Sequence, residues 1–287
     1  MIRTNILSNT ENHHISAQLG CYSVLEYDRD ISVSPEEAHI AYFASKMNIH
    51  KRQVIAKLDG NDVILQSGGM QMMIGDIQAT TNVKGAGDLF KKMVGSKVTG
   101  ETAIKPRYSG HGYLVLEPTF NFILLEDLRN WNGGIVTLDG LFLACDGGVE
   151  SKVTTRKTIS STLLGDSGFF SNALVGKGVV VLESPVPPEE LIVVDLEDDV
   201  LKVDGSLAIA WSSSLKFTVE RTTSTLIGSS VSGEGLVNTY RGTGRVLIAP
   251  VQKNIQINRS TSKNEDVTKE IHEEQEYHQH HNINEEE

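Results

Sequence analysis

The sequence predicts a mainly β protein: three β-rich repeats in pseudo-threefold arrangement form one β-sandwich-like body, with one N-terminal helix and a disordered acidic tail. Three observations predict it. Gly110-His-Gly-Tyr-Leu-Val-Leu-Glu-Pro118, Gly176-Lys-Gly-Val-Val-Val-Leu-Glu-Ser-Pro185 and Gly242-Thr-Gly-Arg-Val-Leu-Ile-Ala-Pro250 share one grammar: Gly-x-Gly, an apolar run, then proline. Their first glycines lie 66 residues apart in both intervals. A second landmark repeats too: Gly140 to Pro185 and Gly205 to Pro250 each span 45 residues, and Gly69 to Pro118 spans 49. Finally, helix signals concentrate in one place, while short apolar runs broken by glycine or acidic turns fill the rest.

The polar stretch to about residue 20 predicts a loose arm or an edge strand, and Leu19 to Tyr27 a strand. Ser34-Pro-Glu-Glu37 then reads as a helix start, with Ser34 as cap, Pro35 in the first helical position and Glu37 closing a capping box. Ile40, Phe43, Ala44 and Met47 follow at helical spacing. A helix over about 35–47 is predicted, packed on the rest of the molecule by that face; a partner-binding helix is the other reading. Residues 1–51 thus form an N-terminal segment. His50-Lys-Arg52 is the densest basic spot and reads as a surface corner.

The body runs from 52 to 251 and divides at about 52–118, 119–185 and 186–251, with about five short strands expected in each unit. Asp59-Gly-Asn61, Asn130-Trp-Asn-Gly-Gly134 and Glu197-Asp-Asp199 are the predicted turns near the start of each. The four extra residues of the first unit fall in Gly87-Asp-Leu-Phe-Lys-Lys-Met-Val-Gly95, a predicted capping turn. Leu215-Lys-Phe-Thr-Val219 alternates as a strand with one wet face should. A single unit cannot bury its inner face, so the three are expected to pack together. Asn254-Ile-Gln-Ile257 could add a last strand, and 258–287 is expected to be a disordered, acidic, histidine-containing tail.

The formal charge of −11 divides unevenly: nine acids and two lysines from Lys263 onward give −7, leaving about −4 for the rest. An acidic body without a basic stripe argues against nucleic-acid binding. No apolar run approaches the roughly 18–20 residues of a membrane span, and the N-terminus has no secretory core, so a cytoplasmic protein is expected. Cys21 and Cys145 are the only cysteines, 124 residues apart, which excludes a disulfide framework and argues against a cysteine-based zinc site.

Chemistry is hard to find. A dinucleotide loop needs a strand, then Gly-x-Gly-x-x-Gly, then a helix; here the glycines precede strands and no third glycine follows at that spacing. They read instead as tight turns or bulges entering buried strands. Glu101 and Glu234 stand ten and nine residues before their Gly-x-Gly and are the candidate ligand-binding residues, because two carboxylates meeting near an axis can share a proton or hold a cation. The middle unit has Ser167-Gly168 there. His272, His278, His280 and His281 could hold a metal loosely, but a solvated tail is the preferred reading. There is no Gly-x-Ser-x-Gly, neither cysteine has a histidine nearby in sequence, and His111 stands without partners in the pattern. No catalytic residue, cofactor or metal site is predicted.

Taken together, Gly233-Glu-Gly-Leu-Val237 before Gly242-Thr-Gly-Arg-Val-Leu247, Glu190-Leu-Ile-Val-Val-Asp195 leading to Val203-Asp-Gly-Ser-Leu-Ala-Ile-Ala-Trp211, Phe142-Leu-Ala-Cys145 and Gln66-Ser-Gly-Gly-Met-Gln71 resemble the mitochondrial-biogenesis family named for altered inheritance of mitochondria. The resemblance covers roughly 52–251. It implies a fold like that of the tryptophan RNA-binding attenuation protein, in threefold pseudo-symmetric β form, and it brings no catalytic motif. The N-terminal helical segment and the acidic tail depart from it, and so does the lack of a presequence. The expectation is a non-enzymatic β-rich interaction or scaffold protein that self-associates or docks a protein partner. The alternative is a small-ligand or metal binder with a site near the pseudo-threefold axis.

Overall fold

β-Branched runs dominate the strands, and in the computed structural model they assemble into two antiparallel sheets. The structure describes residues 3–81, 105–155, 170–204, 206–221 and 236–251. β1 (His13–Leu19) and β2 (Tyr22–Tyr27) form a hairpin; α1 (Ala38–Lys46), β3 (Arg52–Leu65), β4 (Met70–Thr80) and β5 (Arg107–Leu116) follow. Next come β6 (Phe122–Asp127), β7 (Ile135–Leu138), β8 (Phe142–Asp146), β9 (Val149–Thr155), β10 (Phe170–Gly176) and β11 (Val179–Ser184). The last four strands are β12 (Ile192–Asp204), β13 (Ala208–Ser212), β14 (Lys216–Arg221) and β15 (Leu236–Ile248).

One sheet has the order β1-β2-β3-β8-β11-β6, with β5 on β3 and β4 on β5; the other runs β12-β15-β13-β7-β10-β9, with β14 on β15. The middle stretch is therefore shared between the sheets. β6, β8 and β11 lie in the first, and β7, β9 and β10 in the second. Among the described residues, three long strands lie in 52–118, six short ones in 119–185 and four in 186–251. Two predicted turns explain the difference. Asp59-Gly-Asn61 does not end β3 but makes a bulge, with Gly60 at φ +81° and the Asn61 carboxamide oxygen accepting from the Asp59 N–H at 2.7 Å. Asp198, at φ +51°, makes the equivalent bulge in β12. Only the middle stretch breaks, into β6 and β7, around a single 3-10 turn at Leu128–Asn130.

The Gly-x-Gly phrases lie inside these ladders rather than only at strand entries. A Cβ on Gly112 (φ +150°) would stand 2.0 Å from the Ile74 carbonyl oxygen, so glycine is what lets β5 approach β4 this closely. Register is shared around the phrases. The third residue before the first glycine pairs Arg107 with Ile64, Ala173 with Val136 and Thr239 with Lys202. The second residue after the last glycine pairs Leu114 with Met73, Val180 with Cys145 and Val246 with Trp211.

Each sheet carries its own core. Tyr22, Val54, Leu58, Leu114, Leu116 and Val181 fill the first. In the second, Trp211 stacks on Phe217 and meets Tyr240 edge-on, over Leu215 and Val246. Each fully buried large side chain is worth roughly 1.5–3 kcal/mol, which sets register strongly on these faces.

The helix departs from expectation in two ways. It begins at Ala38 because Ser34 and Glu37 close a preceding turn, in which the Glu37 carboxylate accepts from Ser34 Oγ at 3.2 Å and the Glu37 N–H donates to the Ser34 carbonyl. The capping-box pair is thus used one turn early. More important, α1 does not pack on the body: none of its residues is buried.

Candidate docking surface

Residues 28–51 leave β2 and return to β3 as an arm, and polar contacts hold both its ends. At the base, the Arg52 guanidinium, 4% exposed, grips Glu26 with Nε to Oε2 and Nη2 to Oε1, both at 3.0 Å. The same guanidinium donates to Asn48 Oδ1 at 3.0 Å and to the His50 carbonyl at 3.3 Å, and lies 4.2 Å over the Phe122 ring. His50 spans from Glu26 Oε1 (2.8 Å) to the Ser45 carbonyl (2.9 Å), tying the last turn of α1 to β2. Lys51 pairs with Asp30 at 2.9 Å. Burial pushes the Glu26 carboxyl up, but the hydrogen bonds from His50 and Arg52 outweigh it and hold it below the ordinary glutamate range. The basic triplet at 50–52 is therefore no idle corner. Its function was missed because its partner, Glu26, lies a whole arm away in sequence.

What the arm presents is apolar. Ile40, Phe43 and Met47 share one face of α1 and are 62%, 65% and 73% exposed. Tyr42 lies edge-on to Phe43, while Ile31 and Ile49 extend the patch on either side of the helix. Single exposed apolar residues are ordinary, whereas six large ones on one anchored arm make it the candidate docking surface of the described residues. The expected intramolecular lid is overturned here. The polar anchors hold the arm by its ends, and Ile40, Phe43 and Met47 stay exposed.

The other candidate sites resolve as follows. Glu101 and Glu234, with Ser167 and Gly168, lie outside the described residues, as do the Gly87–Gly95 segment, residues 254–257 and the tail histidines. Among the described residues no group of three or more His, Cys, Asp or Glu side chains could hold a metal ion. His111 contacts Asp59 at 3.2 Å at the surface. Cys145 is a buried small apolar residue. Burial, with Asp146 adding to it, pushes the Cys21 thiol up to about 12, and burial takes Cys145 to about 12 as well. Both stay thiols at neutral pH and are poor nucleophiles. Among the described residues no helix is long and apolar enough to cross a membrane.

Residues 47–251 match the family model described as "Mitochondrial biogenesis AIM24". An uncharacterised protein of Streptococcus pyogenes serotype M6 is 27% identical over 205 residues, which cover 66% of this chain and 77% of that protein. An X-ray crystal structure of a Streptococcus pyogenes protein superposes with a TM-score of 0.52 at 25% identity, covering 72% of this chain and 90% of the other. The family match begins at the end of the arm, so α1 lies outside it.

Proposed function

We propose that this chain, which belongs to the mitochondrial biogenesis AIM24 family, is a non-enzymatic β-rich interaction protein that docks a protein partner through the apolar face of α1. One observation carries the reading: an anchored arm presents Ile40, Phe43 and Met47 to solvent. An arm held by a guanidinium clamp keeps this surface in one place, which lowers the ordering cost that a loose segment would meet on binding. A protein partner is favoured over nucleic acid because the chain is acidic and Lys51, at the end of the arm, and Arg52, the first residue of β3, are already paired. The shared register around the three Gly-x-Gly phrases supports the further reading that the body is three repeats in pseudo-threefold relation. The small-ligand reading through Glu101 and Glu234 is second, since only sequence position favours it.

The test is Phe43→Asp with Met47→Asp in the full chain, compared with wild type for association and for thermal stability. The proposal expects unchanged Tm and lost binding to whichever protein co-purifies with the wild type. Equal binding by the two proteins rejects it.

A further inference from the structure

Two junctions hold the successive parts of the body together, and both are short antiparallel ladders of one kind. Val63, Ile64 and Leu65 of β3 pair with Asp146, Cys145 and Ala144 of β8. Ile135, Val136 and Thr137 of β7 pair with Ser212, Trp211 and Ala210 of β13. The central pairs, Ile64 with Cys145 and Val136 with Trp211, obey one rule. The first member lies opposite the third residue before a Gly-x-Gly, and the second opposite the second residue after the next one. Within β12 and β4, the residues that satisfy this rule are Lys202 and Met73. Among the described residues they are not paired with each other: β12 pairs only with β15 and β4 only with β5, so each is a sheet edge.

Burial tells the same story. All six residues of the β7–β13 junction are 8% exposed or less, whereas Met72 and Met73 on β4 are 43% and 41% exposed. Lys202 on β12 is exposed as well. A strand edge without a neighbouring strand among the described residues, beside exposed methionines, is a template for another strand. The strand whose register already fits it is β12.

We propose that β12 of one copy adds antiparallel to β4 of a second copy, with Leu201 opposite Ile74, Lys202 opposite Met73 and Val203 opposite Met72. This surface is separate from the α1 face, and the inference stands whatever α1 docks. The contact is head-to-tail, so a pair of copies still has one free β12 and one free β4, on different copies. Such an interface propagates into a ring or an open filament rather than stopping at a dimer. A three-pair ladder is a small interface, so assembly is expected at about micromolar concentrations or above.

The experiment mixes two full-length single variants, Met73→Cys and Lys202→Cys, under mild oxidation. Directly opposed residues of an antiparallel pair have Cα atoms about 4.5–5.5 Å apart, within disulfide reach. The native thiols, Cys21 partly buried and Cys145 fully buried, are raised to about 12 and react slowly. The proposal expects a disulfide-linked dimer in the mixture and far less in either variant alone. It also expects at least a tenfold fall when Asp76→Cys, three residues out of register, replaces Met73→Cys. Wild type should gain mass with concentration in sedimentation velocity, and Met72→Glu with Met73→Glu should not. Three outcomes overturn the proposal: a wild-type monomer at about 100 µM without mixed disulfide, equal cross-linking from the out-of-register position, and intrachain closure of the Met73→Cys, Lys202→Cys double variant at nanomolar concentration. The last would show that β12 covers β4 of its own chain. All three can occur with the α1 reading intact.

Discussion

Replacing Arg52 with alanine tests the clamp on which the docking surface depends. The substitution removes two charge-assisted hydrogen bonds to Glu26, three further donations (two to Asn48 and one to the His50 carbonyl), and the cation over Phe122. Glu26 is left largely buried with His50 as its one remaining charged or polar side-chain neighbour at hydrogen-bond distance. Breaking a buried pair from one side costs about 3–5 kcal/mol when no partner remains; with His50 still in place about 3 kcal/mol is expected. For a body of about 200 residues each kcal/mol moves Tm by roughly 2–4 °C, so Tm should fall by about 6–12 °C. Urea unfolding gives the free energy, and trypsin cleavage after Lys46 reports the arm. Both should change, with cleavage accelerating before global unfolding. A double-mutant cycle with Glu26→Gln should return a coupling of at least about 1 kcal/mol. A Tm loss below about 2 °C with unchanged cleavage after Lys46 would refute the clamp.

Other predictions follow from the same geometry. Phe43→Asp and Met47→Asp should each change stability by less than about 0.5 kcal/mol, as surface substitutions do, and differential scanning calorimetry checks this. Gly112→Ala should destabilise by about 3 kcal/mol or more in urea, because its Cβ would collide with the Ile74 carbonyl oxygen 2.0 Å away. Cys21 and Cys145 should react slowly with an aromatic disulfide reagent at pH 8 until the chain unfolds, since their thiols are pushed up to about 12. Glu26 is lowered in the folded state, so its contribution is complete above the ordinary glutamate range and is lost as pH falls through the lowered value. Acid titration of stability should therefore be shallower in Glu26→Gln below about pH 4.5.

Much of the β architecture was legible, because equal spacing and shared grammar are properties of the chain itself. What the sequence could not show is how a turn signal resolves. Asp59-Gly-Asn61 and Asn130–Gly134 look alike on paper, yet the first is a bulge in a continuous β3 and the second a break between sheets. That choice depends on which partner strand lies alongside, a long-range fact. Helix α1 illustrates the same limit: periodicity located its apolar face, but not whether anything would cover it. The clamp was invisible for a related reason. Glu26 and Arg52 are 26 residues apart, and β2–β3 pairing brings them together.

The most direct test of the central claim is a photo-reactive benzoyl-phenylalanine at position 43 of the full chain, irradiated in cells and resolved by mass. The account predicts a discrete cross-link to another protein chain, abolished by Met47→Asp. A cross-link confined to the chain's own β body would contradict it, because it would mean that α1 folds back as a lid.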